Sequence, residues 1–447
     1  MDAGCLPTDV AVGANTRSDA CRFADVRMKL RYGFNQTVGW RQFALGPGRE
    51  RIQRRLQEVD TQIVRIFTFT EYTPDPEVDW PAFAAYIQAV LNAGAVPMIT
   101  FVRLPQPQDS PRSIRAFGVR CATVAARCVD TWGGAIVRDW AWAVGNNANS
   151  AWTSGGLTFD DYRRIYEEAA IAVADRLRPC LDGRGPMIGG PGVDGFQPFW
   201  MDWIWRFVHE IDNALIGFVA WNRYGDWREP GAWGAPGEER AFRRLLMSRT
   251  SEYAWRAQSI ARAIERRGIL NVCTELNAHA HHQSQVSGRF NQTIVGATYY
   301  ASALIGLMRT GVDAEMHWAA TDADGRYGAI DQHGCATPVH RAKRLCTAHV
   351  RQGDRLEFPK PPGRDRCLDL VVASGEGSRR SAFIAHVRDE AAAYSLSGLS
   401  GLSDCSTLLT LDGDGLRVVE STFHGVVRFQ GYGVAVVTNW PTGLDRP

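Results

Sequence analysis

A surplus of one charge is what this sequence most conspicuously lacks: 50 Lys and Arg face 48 Asp and Glu across 447 residues. Without a strong field, the chain is not built to hold nucleic acid. It also has no unbroken apolar run of ~18 residues, which excludes a membrane-spanning helix. No C-x-x-C pair, no G-x-S-x-G elbow and no phosphate-cradling glycine loop occurs. Zinc-ribbon, α/β-hydrolase and nucleotide-binding chemistries are therefore not indicated. Histidine is sparse at ten residues, and its one close group, His279, His281 and His282, is expected to be solvated loop rather than a metal set. Neither metal nor cofactor is expected.

The cysteines point to export. There are ten, an even number, and the local pairs Cys5/Cys21, Cys335/Cys346 and Cys367/Cys405 suit disulfides in an oxidising compartment. Cys121 and Cys128 fall on one helix face about 10 Å apart, too far to bridge. A secreted or periplasmic protein is expected, although the opening MDAGCLPTDVAVGANTRSD carries no basic region followed by an apolar run. The Asn-Gln-Thr triplets at Asn35 and Asn291 are expected to be chance glycosylation motifs.

Aromatic residues are plentiful: 15 Trp, 12 Tyr and 19 Phe. They serve either as core or as stacking platforms for flat, apolar ligand faces such as those of sugars. Eight β-type runs alternate with helical patterns: Leu30–Asn35, Ile63–Thr70, Val96–Val102, Ile136–Asn146, Pro186–Pro191, Ile216–Tyr224, Ile269–Glu275 and Asp313–Ala320. Amphipathic helices are expected between them, including Glu50–Val59, Trp80–Ala93, Phe159–Leu177, Phe199–Ile211, Glu238–Arg267 and Ile294–Thr310. Thr158, followed by Asp160 and Asp161, should cap the third of these. Eight such units, buried on both faces, indicate an α/β chain folded as a (β/α)8 TIM barrel. Beyond about residue 356, short strands separated by Gly, Asp and Ser turns indicate a C-terminal antiparallel β-sandwich, expected to be structural. The expected organisation is an irregular segment 1–27, a barrel 28–350 and a sandwich 351–447.

Active groups of such a barrel gather where its strands end. Those ends read Asn35, Glu71, Arg103, Asn146-Asn147, Asn222-Arg223-Tyr224, Glu275 and His317-Trp318. Glu275 closes the apolar run Ile-Leu-Asn-Val-Cys-Thr-Glu, where a carboxylate is costly unless it has a charge partner such as Arg65 or a chemical task. Arg103 and Arg223 are candidates for recognising a uronic acid carboxylate.

The stretch Trp140–Trp152, with WAVGNNANSAW inside it, resembles the strand-four signature Trp-x-Val-Trp-Asn-Glu-Pro-Asn of clan A glycoside hydrolases. It is most similar to family 39, which includes β-xylosidases and α-L-iduronidases. MIGGPGVDG resembles that family's Gly-Gly-Pro segment, VCTELNAH its nucleophile strand, and HWAATDADGRYGAID with TPVHRAKRL its strand-eight region. The resemblance covers about residues 28–350 and includes the sandwich. It implies Glu275 as nucleophile, Arg65 and Tyr224 as its partners, Asn146 on the sugar 2-hydroxyl and Trp318 as a platform. Asn147 and Glu275 lie ~128 residues apart, about three βα units of ~40 residues, as acid and nucleophile do in retaining enzymes.

Two departures stand out. The acid/base glutamate is Asn147, which neither gives nor takes a proton near neutral pH. The family's histidine two positions before the tyrosine is Asn222. The expected function is a retaining glycosidase or transglycosidase acting on an oligo- or polysaccharide, with Glu71 as a candidate replacement acid. The alternatives are a carbohydrate-binding pseudoenzyme, with Arg103 among its sugar contacts, and a structural subunit of a polysaccharide-handling assembly.

Overall fold

A computed structural model describes residues 10–11, 26–107, 109–228, 236–265, 267–322, 324–359, 367–396, 399, 401–402 and 406–440. Eight parallel strands close into a barrel: β1 Arg31–Asn35, β2 Ile63–Thr68, β3 Val96–Phe101, β4 Ala141–Val144, β5 Met187–Asp194, β6 Phe218–Asp226, β7 Leu270–His279 and β8 Ala314–Trp318. They pair in sequence order, and β8 returns to β1 through Ala314↔Arg31 to Trp318↔Asn35. Most termini shift by one to three residues from the sequence expectation. β4 shortens most, because Gly134–Val137 is helical and only Ala141 onward pairs with β3.

The helices follow their stop and start signals. Thr158 and Asp161 form the expected capping box at the head of Phe159–Leu177. The single helix expected over Glu238–Arg267 is two, Pro236–Arg249 and Ser251–Ala263. At the break, buried Thr250 turns its hydroxyl onto Met247 O and accepts from Ser302, bonds that tie this corner to the neighbouring helix. Among the described residues no helix is long and apolar enough to cross a membrane.

The lower barrel is filled by small and medium apolar side chains: Ile63, Met98, Ala143, Phe218, Ala220, Val272, Ala314 and Met316. Outward-facing strand residues join the helices in a second, larger core. The sandwich has a seven-stranded sheet, in which Arg355–Glu357, Leu368–Ser374, Arg380–His386 and Gly433–Thr438 are successive neighbours. Strand alternation splits its two faces: Leu370 and Val372 pack within the sandwich, whereas Val371 and Ala373 pack against the barrel. The N-terminal segment is not wholly irregular. Val26–Arg27 extends the seven-stranded sheet and Val10–Ala11 pairs with Ala392–Ser395 in the smaller one.

No disulfide joins any of the described cysteines. The expected Cys335/Cys346 pair is not formed: Cys335 is exposed ahead of the helix Pro338–His349, whereas that helix carries Cys346 inward to the Tyr32 hydroxyl. Cys5, Cys21 and Cys405 lie outside the described residues. Asn35 and Asn291 are both fully buried, so neither triplet presents a glycosylation acceptor.

The last helix locks the barrel with a buried ion pair. Lys343 reaches Glu315 on β8 at 2.8 Å and the β1 carbonyl of Gly33 at 2.7 Å, and both charged side chains are fully buried. Tyr300 donates to the same carboxylate, and the Phe34 ring lies 4.1 Å from the ammonium. Lys343→Met strands Glu315 and is expected to cost about 3–5 kcal/mol; Glu315→Leu combined with Lys343→Met should recover most of it. A urea titration giving a loss below about 1 kcal/mol for the single variant would contradict this role.

Candidate active site

Glu275 faces the barrel because β7 carries one extra residue. Both neighbouring strands register it: Trp221 and Asn222 of β6 oppose Cys273 and Glu275, and Glu315 and His317 of β8 oppose Cys273 and Leu276. Such a bulge breaks the strict alternation of a strand. Thr274 and Glu275 consequently both present their side chains to the centre, while Cys273 and Leu276 stay in the outer core.

The Glu275 carboxylate is buried and held on both oxygens. Arg65 of β2 lies 3.1 Å from Oε1, and the Tyr224 hydroxyl of β6 donates to Oε2 at 2.8 Å. The sequence offered the Arg65 ion pair and a chemical task as alternatives; the pair exists, and the tyrosine and the mouth position come with it. Arg65 is itself fully buried and fully engaged: Nε donates to Thr100, Nη1 also to Asn35, and Nη2 to Asn146 at 2.8 Å. Burial pushes the Glu275 carboxyl above its ordinary range, and Arg65, Tyr224 and Asn146 pull the other way. Burial also lowers Arg65 and raises the Tyr224 phenol.

Asn146 and Asn147 complete the cluster. Asn222 on β6 donates from one amide nitrogen to both, at 2.9 and 2.8 Å, while Thr274 donates to its oxygen at 2.7 Å. Arg65, which can only donate, fixes the Asn146 oxygen, and Gly192 O can only accept, so it is the nitrogen of the Asn222 amide that points at this corner. Asn147 has a φ of +51°, in the left-handed region that asparagine tolerates better than most residues. Its backbone N–H donates to Gly192 O at 2.6 Å. Gly192, φ +62°, is the extra residue of a second bulge, on β5, and a Cβ there would sit 3.2 Å from Asn146 Cα. The Gly-Gly-Pro-Gly run thus lets the Asn146–Asn147 corner approach β5 closely.

One wall of the mouth is aromatic. Trp318, half-buried, has the Phe67 ring at 5.6 Å and the Tyr327 ring at 6.5 Å. Asn277, inward-facing after the bulge, donates to Trp318 O.

Other expected rim residues are elsewhere. Glu71 and Arg103 are ion-paired to each other, both more than half exposed, and no bond links them to the Glu275 cluster among the described residues. The Glu71 carboxyl is lowered, first by its own backbone N–H and then by Arg103. A carboxyl so held is ionised at neutral pH and is poorly suited to donate a proton. Arg223 does not face the mouth: strand alternation turns it outward onto Glu252 at 2.6 Å. His279 and His281 are buried rather than solvated; His279 bonds Ser287 and Arg228 O, and burial lowers it to about 4. Phe67, Thr100, Thr274 and Tyr327 were not picked out from sequence. Phe67 and Thr100 share inward parity with Arg65 and Met98, a signal that was available.

The closed (β/α)8 barrel with an appended sandwich is a fold found in solved structures of glycoside hydrolases. Among solved structures, a monomeric β-xylosidase from Caulobacter crescentus superposes with a TM-score of 0.61 at 14% identity, over 93% of this chain and 96% of that one. A GH39 enzyme from Xanthomonas axonopodis pv. citri gives 0.60 at 14%, over 97% of each chain. A GH30 endoxylanase from Clostridium papyrosolvens gives 0.60 at 10%, over 96% of this chain and 99% of that one. No family model matches the chain. No curated protein matches it either.

Because the Glu275 carboxyl titrates higher in the fold than in the unfolded chain, its ionised form opposes folding. The penalty is absent below the unfolded pKa of ~4.3 and grows as pH rises toward the folded value. Glu275→Gln is therefore expected to raise the Tm at pH 7, with the gain closing as pH falls to about 4. A Tm difference that widens toward acid pH would contradict this.

Proposed function

We propose that the protein acts on carbohydrate as a retaining glycosidase or transglycosidase, with Glu275 as nucleophile and no carboxylic acid in the acid/base position. The observation that carries this reading is the buried Glu275 carboxylate, held by Arg65 and Tyr224 within one hydrogen-bond network that includes Asn146 and Asn147. Arg65 and Tyr224 orient the carboxylate for attack on an anomeric carbon, the bond to the leaving group breaks with its electron pair, and a glycosyl ester forms. Asn146 and Trp318 are the sugar contacts in this reading, and Asn222 positions both asparagine amides.

Asn147 supplies no proton to the departing oxygen. Leaving groups stable as anions depart unaided, and the ester then waits for a strong nucleophile or a suitably placed sugar hydroxyl. General acid assistance is worth about 10²–10⁴-fold, so its absence slows ordinary hydrolysis without abolishing glycosyl transfer. The Glu71 candidacy for that proton is weakened by its exposure and its ion pair.

A second reading, a carbohydrate-binding protein without turnover, is favoured by one feature. Asn222 and Asn147 bond to each other as two amides, a pair with no titrating group. Its sugar contacts would be the same cluster.

Activated 2-deoxy-2-fluoro glycosides separate the two. Intact-mass and peptide mapping should find one sugar esterified to Glu275. A complete panel of such reagents giving no adduct, with saccharide binding still measurable, selects the second reading. Asn147→Glu restores a carboxyl at the matching position and should raise turnover of unactivated glycosides by about 10²–10⁴-fold, even though a left-handed glutamate is strained by about 1 kcal/mol. No gain in turnover by a folded Asn147→Glu protein would argue against a missing acid.

A further inference from the structure

A cavity of about 400 Å³ opens on the outer side of β6, between the 195–200 loop and the helices Pro236–Arg249 and Ser251–Ala263. It is distinct from the Glu275 cluster: Arg223, which lines it, points away from the barrel centre toward which Asn222 and Tyr224 point.

Four guanidinium groups line this cavity, and one carboxylate serves three of them. Arg223, Arg249 and Arg256 reach Glu252 at 2.6, 2.8 and 3.4 Å. The remaining charged pair at the rim, Asp226 and Arg228, neutralises itself at 2.7 Å. Among the described residues, two positive charges are thus uncompensated within the cluster. They are also sequestered, since Arg223 is 4% exposed and Arg256 7% exposed. Nε and Nη1 of Arg256 and Nε of Arg223 have no hydrogen-bond partner among the described residues.

Donors left unpaired in a buried place are costly, and cations crowded onto one carboxylate more so. Burial, followed by the neighbouring Arg223 charge, lowers Arg256 to about 10. An arriving oxyanion would relieve both costs. The pocket is also larger than an inorganic ion needs and falls in the range of small-molecule sites. Its walls include flat surfaces, with Arg256 stacked over Trp200 at 4.4 Å and Arg223 over Phe196 at 4.7 Å. Planar, fork-shaped donors beside aromatic rings suit a carboxylate carried on a sugar ring.

We propose that this pocket is an accessory subsite for a carboxylate-bearing sugar residue, held by Arg223, Arg249 and Arg256. The sugar part of this assignment rests on the carbohydrate reading of the Glu275 site; the oxyanion part stands without it. Since Arg223 shares β6 with Asn222 and Tyr224, an occupant here lies beside the strand that carries the catalytic cluster.

The test uses the whole protein and three probes: methyl glucuronoside, methyl glucoside and inorganic phosphate, followed by calorimetry and by tryptophan fluorescence, to which Trp200 should respond. Charge-assisted bonds predict that the glucuronoside binds at least about 10-fold more tightly than the glucoside. Arg249→Gln, a change at a partly exposed residue, should weaken the glucuronoside about 10-fold while leaving the Tm and glycoside labelling of Glu275 unchanged. Equal affinity for the charged and neutral sugars, or binding of neither, overturns the proposal. Tight phosphate binding without glucuronoside binding overturns the sugar assignment. Glucuronoside binding by a protein that no activated glycoside labels supports the pocket and removes only the catalytic reading.

Discussion

The ion pair between Arg65 and Glu275 is the interaction on which the site is built. Two charges on opposite sides of a barrel are brought together with essentially no water to screen them. Burial costs each charge more than the pair's attraction returns, which raises the Glu275 carboxyl and lowers Arg65, so the pair depends on its neighbours to stay in place. Every neighbour of the pair is arranged to share that load. Thr100 and Asn35 take donors from Arg65, Asn146 takes another, and Tyr224 donates to the second carboxylate oxygen. The lower barrel needs none of this, being filled by methyl-rich side chains. The change from apolar layer to polar layer along each strand is where folding gives way to chemistry.

Two irregularities make the polar layer possible. An unbroken β7 would aim Thr274 inward and Glu275 outward into the helices. One inserted residue puts both inside. On β5 the inserted Gly192 gives the Asn146–Asn147 corner room to approach, and its carbonyl fixes Asn147 by the backbone. The Asn146–Asn147 corner is therefore preorganised at the barrel mouth, with an amide at position 147.

The barrel was legible because its period is coarse. Eight apolar runs spaced by helices survive errors of a few residues at each end, and the Gly and Asn turns of the sandwich are equally plain. Glu275 was legible for a simple reason: a carboxylate at the end of a buried run has few explanations. The bulges were not, since one extra residue leaves no trace in a hydrophobic pattern. Arg223 was placed at the rim although strand parity between Asn222 and Tyr224 turns it outward. Glu71 looked like a catalytic spare from its position after β2, but the chain beyond Thr68 leaves the barrel and carries it to Arg103. The Cys335/Cys346 pairing failed because sequence proximity does not say which cysteine a helix carries inward. Nothing in the pattern flagged Glu252, whose meaning depends on three arginines, from one strand and two helices, converging on it.

A nucleophile without a proton donor is tested most directly with azide. With a 2,4-dinitrophenyl glycoside as substrate, azide should accelerate turnover and yield a glycosyl azide of retained anomeric configuration, read by proton NMR. Retention requires two displacements, the first by Glu275, and acceleration requires that no carboxylate at position 147 repels the anion. Turnover indifferent to azide, or an azide product of inverted configuration, would contradict the account.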